Sequence, residues 1–545
     1  MTAEVFFNKG ASGSKITVLP GGKVLDAPPG RTLLQVLREG GVSIESPCGG
    51  AGTCGKCGVM ALSAPPASLN ERALGLGEGE RLACRLVPTG DMTVELLTCF
   101  EAEEEATRLI KKIKIIKETL PPLGLAVDVG STTVEATLVD LDTGRELASR
   151  SALNPQTRWG MDVLSRISHV MTRSESLREM REALTATLGV MAEALCQEVG
   201  VRVSAIEQVV AAGNCVMLHI LMGVSPASLG AFPFTPVFTE ALDVSAAEVG
   251  LRESARLYCP PSASAFIGAD VVAGICASDL MRRRGNTLFI DIGTNGEMAL
   301  SHGGRLTSCS CAAGPALEGM NISCGTRATP GAVDDVVIGV DGRIQLKVIG
   351  RQNPLVGYPS FPFLGLCGSG VLAAIREFLR VGLLRPDGAF AGRDGLPPGG
   401  KALAALYAED GLSVRLGAGL AVTQKDVRQV QLAKGALLSG VCALLECAGL
   451  DADGLDAVLV AGQFGARLSA QLLTDCGVLP PGLEKKIEYL GNASKAGARL
   501  ALTSHARRRE MEALARKIEY LDLSSLPNYE NLFLRCLSFT RGGTP

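Results

Sequence analysis

Asp291-Ile-Gly-Thr-Asn-Gly-Glu297, entered from the apolar run Thr287-Leu-Phe-Ile290, is the stretch that decides the fold. It reads as a buried strand that delivers an aspartate to a tight turn, where glycine lets backbone N–H groups approach an anion closely. A near twin stands upstream: Asp128-Val-Gly-Ser-Thr-Thr133, entered from Leu123-Gly-Leu-Ala-Val127. One such tetramer alone is an ordinary strand end with a turn. Two in matching contexts imply two related lobes around one polyphosphate. Gly130, Ser131, Thr132 and Thr133 would then offer N–H and hydroxyl donors from one side, and Gly293, Thr294, Asn295 and Gly296 from the other. Asp128 and Asp291 are the expected catalytic carboxylates, able to hold Mg²⁺ through water or to orient a hydrolytic water.

Outward from the hairpins, the order of elements repeats. From residue 123 it runs strand, strand (133–141), strand (146–152), helical segments to about 199, then a strand at 208–212. From residue 287 a similar series begins, with strands through 290, at 297–300 and at 306–309. A helix at 427–447, strands at 457–460 and 487–490 and a helix from Lys495 follow. Two rounds of βββαβα, rather than a short-period repeat, are the internal symmetry. Val458-Leu-Val-Ala461 runs into Gly462-Gln463-Phe464-Gly465, a buried strand ending in glycines that leave room for a flat ring and a ribose. The proline-rich stretch 353–362 and the Gly/Pro-rich stretch 386–400 read as insertions on the second lobe, without chemistry of their own.

Residues 1–99 read as a separate small domain. Strands 16–19 and 23–27 flank Pro20-Gly21-Gly22 as a hairpin, a helix covers 32–39, and a strand covers 93–97. Residues 100–121 lead with glutamates and trail with lysines, the charge order that suits a helix dipole, and read as a solvated linker ended by Pro121-Pro122. The expected division is therefore 1–99, linker 100–121, first lobe 122–286, second lobe 287–516, and a tail 517–545 forming an appended helix or extended arm.

Composition excludes several classes. Fifty-three basic residues against fifty-six acidic ones give a net charge of −3 over 545 residues, so no global field points to nucleic acid or a membrane surface. The opening Met1-Thr-Ala-Glu-Val-Phe-Phe7 lacks a basic region, apolar run and small-residue cleavage site, and no uncharged apolar run reaches membrane-spanning length. A cytoplasmic protein is expected. Seventeen cysteines in so long a chain then read as reduced thiols plus a metal site rather than a disulfide framework.

Four of those thiols carry the strongest spacing. Five residues separate Cys48 from Cys54, two separate Cys54 from Cys57, and twenty-six separate Cys57 from Cys84. Thiolates on one glycine-rich loop plus one returning strand suit a [2Fe–2S] centre. Zinc is the alternative, although a zinc ribbon wants two C-x₂-C pairs and Cys84 has no partner nearby. This region resembles [2Fe–2S] ferredoxins of the β-grasp fold, including Arg81-Leu-Ala-Cys84, with the adrenodoxin-like spacing between the first two ligands.

The remaining cysteines and histidines carry structural expectations. Cys276, Cys442 and Cys447 sit in apolar helical stretches and read as core thiols, whereas Cys309, Cys311, Cys324 and Cys367 are placed in glycine-rich segments between the lobes. The four histidines show no paired metal-ligand spacing, so His219 reads as structural or partner-facing.

The two hairpins with the Gly462–Gly465 loop resemble the acetate and sugar kinase, Hsp70 and actin superfamily. That resemblance implies ATP between two ribonuclease H-like lobes, and a fold class of α+β and α/β multidomain. Further stretches resemble one family within it, the reductive activators of corrinoid-dependent enzymes. They are Gly213-Asn214, His219, Ala312-Ala-Gly-Pro-Ala316 with Glu318-Gly319, Leu366-Cys-Gly-Ser-Gly370, Gln431-Leu-Ala-Lys434-Gly435-Ala436 and Gly491-Asn-Ala-Ser494.

The family resemblance implies an ATP-hydrolysing iron–sulfur electron-transfer activator that reduces inactive Co(II) of a corrinoid protein to Co(I) for methyl transfer. Its implied cofactors are a [2Fe–2S] cluster and ATP with Mg²⁺. A reduced ferredoxin or flavodoxin-like protein is the implied electron donor, and a homodimer is admitted, the helical faces suggesting packing surface without setting an oligomeric state. The rivals are a small-molecule kinase with a regulatory ferredoxin domain, an ATP-dependent activator of a dehydratase-type enzyme, and a chaperone-type binding module.

Overall fold

The computed structural model describes residues 14–19, 22–42, 44, 57–61, 71, 79–96 and 122–539, apart from 252, 358–363, 397–399, 410, 418, 463–464 and 466–467. The chain divides into two units, Met1–Ile115 and Ile116–Pro545. The described residues therefore exclude the linker 100–121, Cys48, Cys54, Gln463 and Phe464.

In the first unit, β1 (Ser14–Leu19) and β2 (Lys23–Ala27) form the expected antiparallel hairpin. The helix α1 (Leu33–Glu39) follows, with Thr32 and Gln35 closing a capping box that satisfies two of its orphan N–H groups. Its Leu33, Leu34, Val36 and Leu37 bury against Ile16, Val18, Val59 and Val94. Three more strands, β3 (Gly58–Met60), β4 (Glu80–Leu82) and β5 (Met92–Leu96), complete a sheet of order β2-β1-β5-β3-β4, with β1 parallel to β5. A helix over a mixed sheet with a parallel central pair is the β-grasp arrangement.

The second unit opens with β6 (Leu123–Val129), β7 (Thr133–Asp140) and β8 (Glu146–Leu153), then α2 (Val163–Thr172) and α3 (Ser176–Val199). It continues with β9 (Ile206–Gly213), α4 (Cys215–Leu221), β10 (Leu242–Ser245), β11 (Arg256–Cys259) and α5 (Ala269–Ala277). The strands order as β10-β11-β9-β6-β7-β8.

The second round supplies β12 (Thr287–Ile292), β13 (Gly296–His302) and β14 (Arg305–Cys311). An excursion then forms two small sheets, β15 (Val333–Ile338) with β16 (Ile344–Val348) and β17 (Leu355–Gly357), and, after α6 (Gly368–Val381), β18 (Ser413–Gly417) with β19 (Leu420–Thr423). The main series resumes with α7 (Gln424–Ala448), β20 (Ala457–Ala461), β21 (Ile487–Gly491), α8 (Ala493–Thr503) and α9 (His505–Lys517). It closes with β22 (Ile518–Tyr520) and α10 (Tyr529–Cys536), in a sheet of order β21-β20-β12-β13-β14-β22.

The two large sheets superimpose in topology: β11-β9-β6-β7-β8 matches β21-β20-β12-β13-β14. In each, the first strand pairs antiparallel with the second and parallel with the fourth. Both first strands are covered on both faces, which is why Leu-Gly-Leu-Ala-Val and Thr-Leu-Phe-Ile read as continuous apolar runs rather than alternating ones.

Helices α5, α8 and α9 fill the layer between the sheets. Their Val271, Ile275, Ala498, Leu502 and Met511 pack with Ala126 and Val210 of one sheet and with Phe289 and Leu459 of the other. The crossing of α5 and α8 is close because Gly497 has no side chain; a Cβ there would stand 2.2 Å from the Ala273 carbonyl oxygen. Outside, α3 and α4 cover the first sheet, and α6 and α7 the second.

The tail is integrated rather than merely appended. β22 adds a parallel edge to β14, and α10 lies along α7. Gly435 gives α10 room, Gln431 Nε2 donates to the Leu537 carbonyl at 3.0 Å, and the Lys434 ammonium donates to the Ser538 carbonyl. Gln431-Leu-Ala-Lys434-Gly435 is thus the strip that caps the C-terminal end of α10, where free carbonyls attract a cation. α7 is long and apolar enough to cross a membrane by length and composition, but 83% of its apolar window is buried inside the protein.

Two thiol expectations are corrected. Cys276 and Cys442 are buried, but Cys447 is exposed. Cys309 and Cys311 are not between the lobes; they lie on β14 inside the core of the second lobe, where burial pushes both thiols up. His219 is structural: its ring stacks on Phe238 at 4.2 Å, sits 2.7 Å from the Cys215 carbonyl and takes the Val237 N–H.

Candidate functional site

The two sequence twins meet. Thr132 of the β6–β7 turn and Thr294 of the β12–β13 turn approach to 3.3 Å between hydroxyls, so the hairpins form opposite walls of one cleft. Their surroundings differ. The first turn is braced on three sides, by Asn154 Nδ2 donating to the Gly130 carbonyl at 2.8 Å, by Arg166 donating to the Ser131 carbonyl, and by Asn214 Nδ2 donating to Ser131 Oγ at 3.0 Å. A Cβ on Gly130 would stand 2.5 Å from the Thr133 carbonyl oxygen, so only glycine fits this turn. In the second turn Gly293 faces open space, with nothing but the Asn295 carbonyl oxygen within 4 Å of an added Cβ. Thr294 donates to Glu318 Oε1 at 3.0 Å.

The remaining expected donors take distinct places. Thr133 begins β7 opposite Leu153, while Gly296 begins β13 with its missing side chain turned to Leu437 and Cys311, where it serves core packing. Gly462, in the left-handed region at φ +94°, follows β20; a Cβ on it would meet the Ile292 carbonyl oxygen at 2.7 Å and Asp291 Oδ1 at 2.8 Å. Bare backbone therefore lies against the second hairpin. Gly465 packs against Val460, and Gln463 and Phe464 lie outside the described residues.

Five carboxylates gather at the cleft. Burial pushes Asp128 up to about 6, and burial with neighbouring carboxylates pushes Asp270 and Asp291 up to about 7. Glu297 is raised well above its ordinary value and Glu318 is raised, burial again being the leading cause. Like charges crowded in a low-dielectric wall resist ionisation until a cation arrives. Among the described residues no group of three or more His, Cys, Asp or Glu is spaced to hold a metal ion. Mg²⁺ is usually held by one or two carboxylates together with phosphate oxygens, a donor set to which these side chains could contribute.

Asp270 and Glu318 were not among the expected site residues. Asp270 sits in the first turn of α5 behind Gly268, and Glu318 follows β14 in Pro315-Ala-Leu-Glu318. Glu318 stands in a stretch already marked by its resemblance to the family, Ala312–Ala316 with Glu318-Gly319, but without a role, whereas Asp270 is signalled only by the glycine two residues before it.

In the first unit, Cys57 and Cys84 come to one place. Cys57 precedes β3 and Cys84 follows β4, Gly58 faces Leu82 in register, and the Ala83 N–H donates to the Cys57 carbonyl at 2.8 Å. Both are buried, at 1% and 6% exposure. The strand leading to Cys84 is pinned by Glu71, fully buried, which accepts from Arg81 Nε at 3.0 Å, from the second Arg81 nitrogen at 3.1 Å and from the Leu82 N–H at 3.0 Å. Two soft sulfur donors at neighbouring strand ends fit a shared metal centre. Cys48 and Cys54 lie outside the described residues.

Comparison with known proteins agrees with this geometry. Residues 16–89 match the model of the 2Fe-2S iron-sulfur cluster binding domain, residues 123–283 the RACo middle region, and residues 285–544 the C-terminal domain of RACo, the ASKHA domain. The corrinoid activation enzyme RamQ of Eubacterium limosum is 31% identical over 440 residues, 78% of this chain and 72% of that protein. The chain belongs to the reductive activators of corrinoid-dependent enzymes. Within the family, the [Co(II) methylated amine-specific corrinoid protein] reductase of Methanosarcina barkeri is 26% identical over 456 residues, 77% of this chain and 78% of that one. The solved structure of a reductive activator for corrinoid,iron-sulfur protein aligns with a TM-score of 0.68 at 27% identity, covering 96% of this chain and 98% of that chain. Membership of the activator family brings an N-terminal [2Fe–2S]-type domain and a nucleotide-binding ASKHA body, as the cysteines and twin hairpins imply.

Proposed function

We propose that the protein is an ATP-dependent reductive activator, passing single electrons to the cobalt of a corrinoid partner and converting inactive Co(II) to methyl-accepting Co(I). The reading is carried by one pairing: a β-grasp unit with buried Cys57 and Cys84 and, in the same chain, a two-hairpin cleft lined with carboxylates. Names of relatives that act on corrinoid proteins support the partner.

Cys48, Cys54, Cys57 and Cys84 are the proposed cluster ligands. A [2Fe–2S] cluster held there would supply one-electron storage. The Glu71–Arg81 pair fixes the strand that presents Cys84. In the cleft, Ser131, Thr132, Thr294 and the open backbone at Gly293 are proposed to take the phosphates. Gly462 leaves room beside Asp291 for the ribose and ring. Asp291 and Asp270 are proposed to share a nucleotide-borne Mg²⁺, which relieves their mutual repulsion. Co(I) formation is the harder reduction, and nucleotide binding offsets it by favouring the conformation that engages the partner, a population shift driven by differential affinity. The electron donor is proposed to be a reduced ferredoxin or flavodoxin-like protein in the cytoplasm.

The kinase reading is separated by one experiment. Replacing Cys57 and Cys84 by serine should abolish reduction of a Co(II)-corrinoid protein while ATP binding persists. A variant that loses neither, and phosphorylates an acid or sugar, would instead be a kinase with a dispensable ferredoxin domain.

A further inference from the structure

Asp128 is held from the far side of the cleft. Asn492 caps the N-terminus of α8, and its Nδ2 donates to Asp128 Oδ2 at 2.8 Å and to Glu135 Oε2 at 2.9 Å. Ser494 Oγ donates to the other Asp128 oxygen at 2.8 Å, and Lys495 Nζ reaches Glu135 Oε1 at 2.6 Å. Asp128 and Glu135 face each other in register across β6 and β7, a like-charge pair that the amide of Asn492 bridges and Lys495 neutralises. Both Asn492 amide hydrogens and both Asp128 oxygens are thereby used. The donors come from the segment that follows β21 of the second sheet, whereas the acceptors belong to the first sheet.

Asp291 has the opposite surroundings. Among the described residues no hydrogen bond reaches its carboxylate, which shares the cleft with Asp270, Asp128 and Glu318. Two carboxylates in similar local sequence thus have different surroundings: one is clamped at both oxygens, the other is unclaimed among the described residues.

We propose that Asn492 and Ser494 are positioning residues for ATP turnover: together they fix the Asp128 carboxylate as a strut between the first hairpin and the N-terminus of α8, which leaves Asp291 to meet the nucleotide and its water. The assignment rests on the nucleotide cleft proposed above. It reaches beyond it by giving the Gly491-Asn-Ala-Ser494 stretch a task and by dividing the labour of the two aspartates. Asn492 also accepts from the Lys495 N–H at 2.8 Å as an ordinary helix cap, so a merely structural role has to be told apart from a positioning one.

Asn492→Asp makes that separation, because aspartate caps a helix as well as asparagine does but cannot donate to Asp128. Ser494→Ala removes the second donor and leaves the cap untouched. Steady-state ATP hydrolysis is measured on the full-length, cluster-loaded protein for wild type, both variants, Asp128→Asn and the Asp128→Asn/Ser494→Ala double variant. The expected result is a kcat lower by roughly tenfold or more in each single variant, with KM for ATP within about threefold of wild type. The Ser494→Ala loss should vanish in the Asp128→Asn background, as it must if the serine acts through that carboxylate.

A wild-type kcat in Ser494→Ala, or an equal Ser494→Ala loss with and without the Asp128 carboxylate, overturns the proposal. So does a wild-type kcat in a folded Asn492→Asp. If Asn492→Asp does not fold, the Ser494→Ala cycle decides alone. Wild-type protein that neither binds nor hydrolyses ATP would overturn the nucleotide reading itself, a result distinct from active wild type matched by Ser494→Ala.

Discussion

The hairpins at Asp128 and Asp291 are near twins in sequence and opposites in environment. The first is rigid: Asn154, Arg166 and Asn214 brace its turn, and Asn492 and Ser494 hold its carboxylate. The second is open, with Gly293 facing space and Asp291 unclaimed by hydrogen bonds among the described residues. A duplicated motif therefore does not imply a duplicated task. The local pattern builds the strand and the turn in both cases, and what packs around each sets whether its carboxylate is held or open.

The comparison can be broken or sharpened in order of expected effect. Asp291→Asn should lower ATP-driven Co(I) formation by roughly a hundredfold or more while leaving the visible spectrum of the cluster intact, if Asp291 meets the nucleotide as proposed. Near-normal Co(I) formation in this variant would return Asp291 to the status of an ordinary strand end.

The two turn glycines should respond unequally. Gly130→Ala forces a Cβ to within 2.5 Å of the Thr133 carbonyl and should cost about 1–3 kcal/mol, read as a lower denaturation midpoint. Gly293→Ala meets only one atom, at 3.6 Å, and should stay within about 0.5 kcal/mol of wild type. Equal costs would remove the distinction between a braced and an open turn.

Stability of the nucleotide-free protein should fall as pH rises from about 4 to 7. Asp128 near 6 and Asp270 and Asp291 near 7 bind protons more tightly folded than unfolded, where carboxylates titrate near 4. The folded state therefore holds extra protons in this window, and each is lost at the expense of stability as pH climbs through the folded value. Trp159, the only tryptophan and half-buried in the first lobe, gives the fluorescence signal for unfolding. Midpoints that rise between pH 5 and 8 would contradict the carboxylate assignment. The smallest effect concerns thiols: Cys447 should be alkylated in the native protein, whereas Cys309 and Cys311 should react only on unfolding.

Much of this was legible in the chain. Apolar runs ending in Asp-x-Gly-Ser/Thr are local signals, and both hairpins lie where those runs put them. The paired topology of the sheets was legible because the element order repeats. Asp270 was not, and Glu318 and Asn492 were marked only as parts of family-like stretches without a role, since each becomes a cleft residue only when distant segments meet. β22 was missed because three residues, Ile518-Glu-Tyr520, carry no periodicity and pair only with an edge that β14 provides. Cys447 was misjudged because it stands five residues beyond Cys442, about 140° around the helix, and so on another face of α7. Spacing marked Cys48, Cys54, Cys57 and Cys84 as the proposed cluster ligands, of which Cys57 and Cys84 lie among the described residues, at neighbouring strand ends.

The most direct measurement mixes the reduced, cluster-loaded protein anaerobically with a Co(II)-corrinoid protein, with and without Mg-ATP, and follows visible absorbance. The account predicts that reduction of the cluster proceeds equally in both, while Co(I) appears at an appreciable rate only with Mg-ATP. Equal rates of Co(I) appearance with and without nucleotide would contradict it.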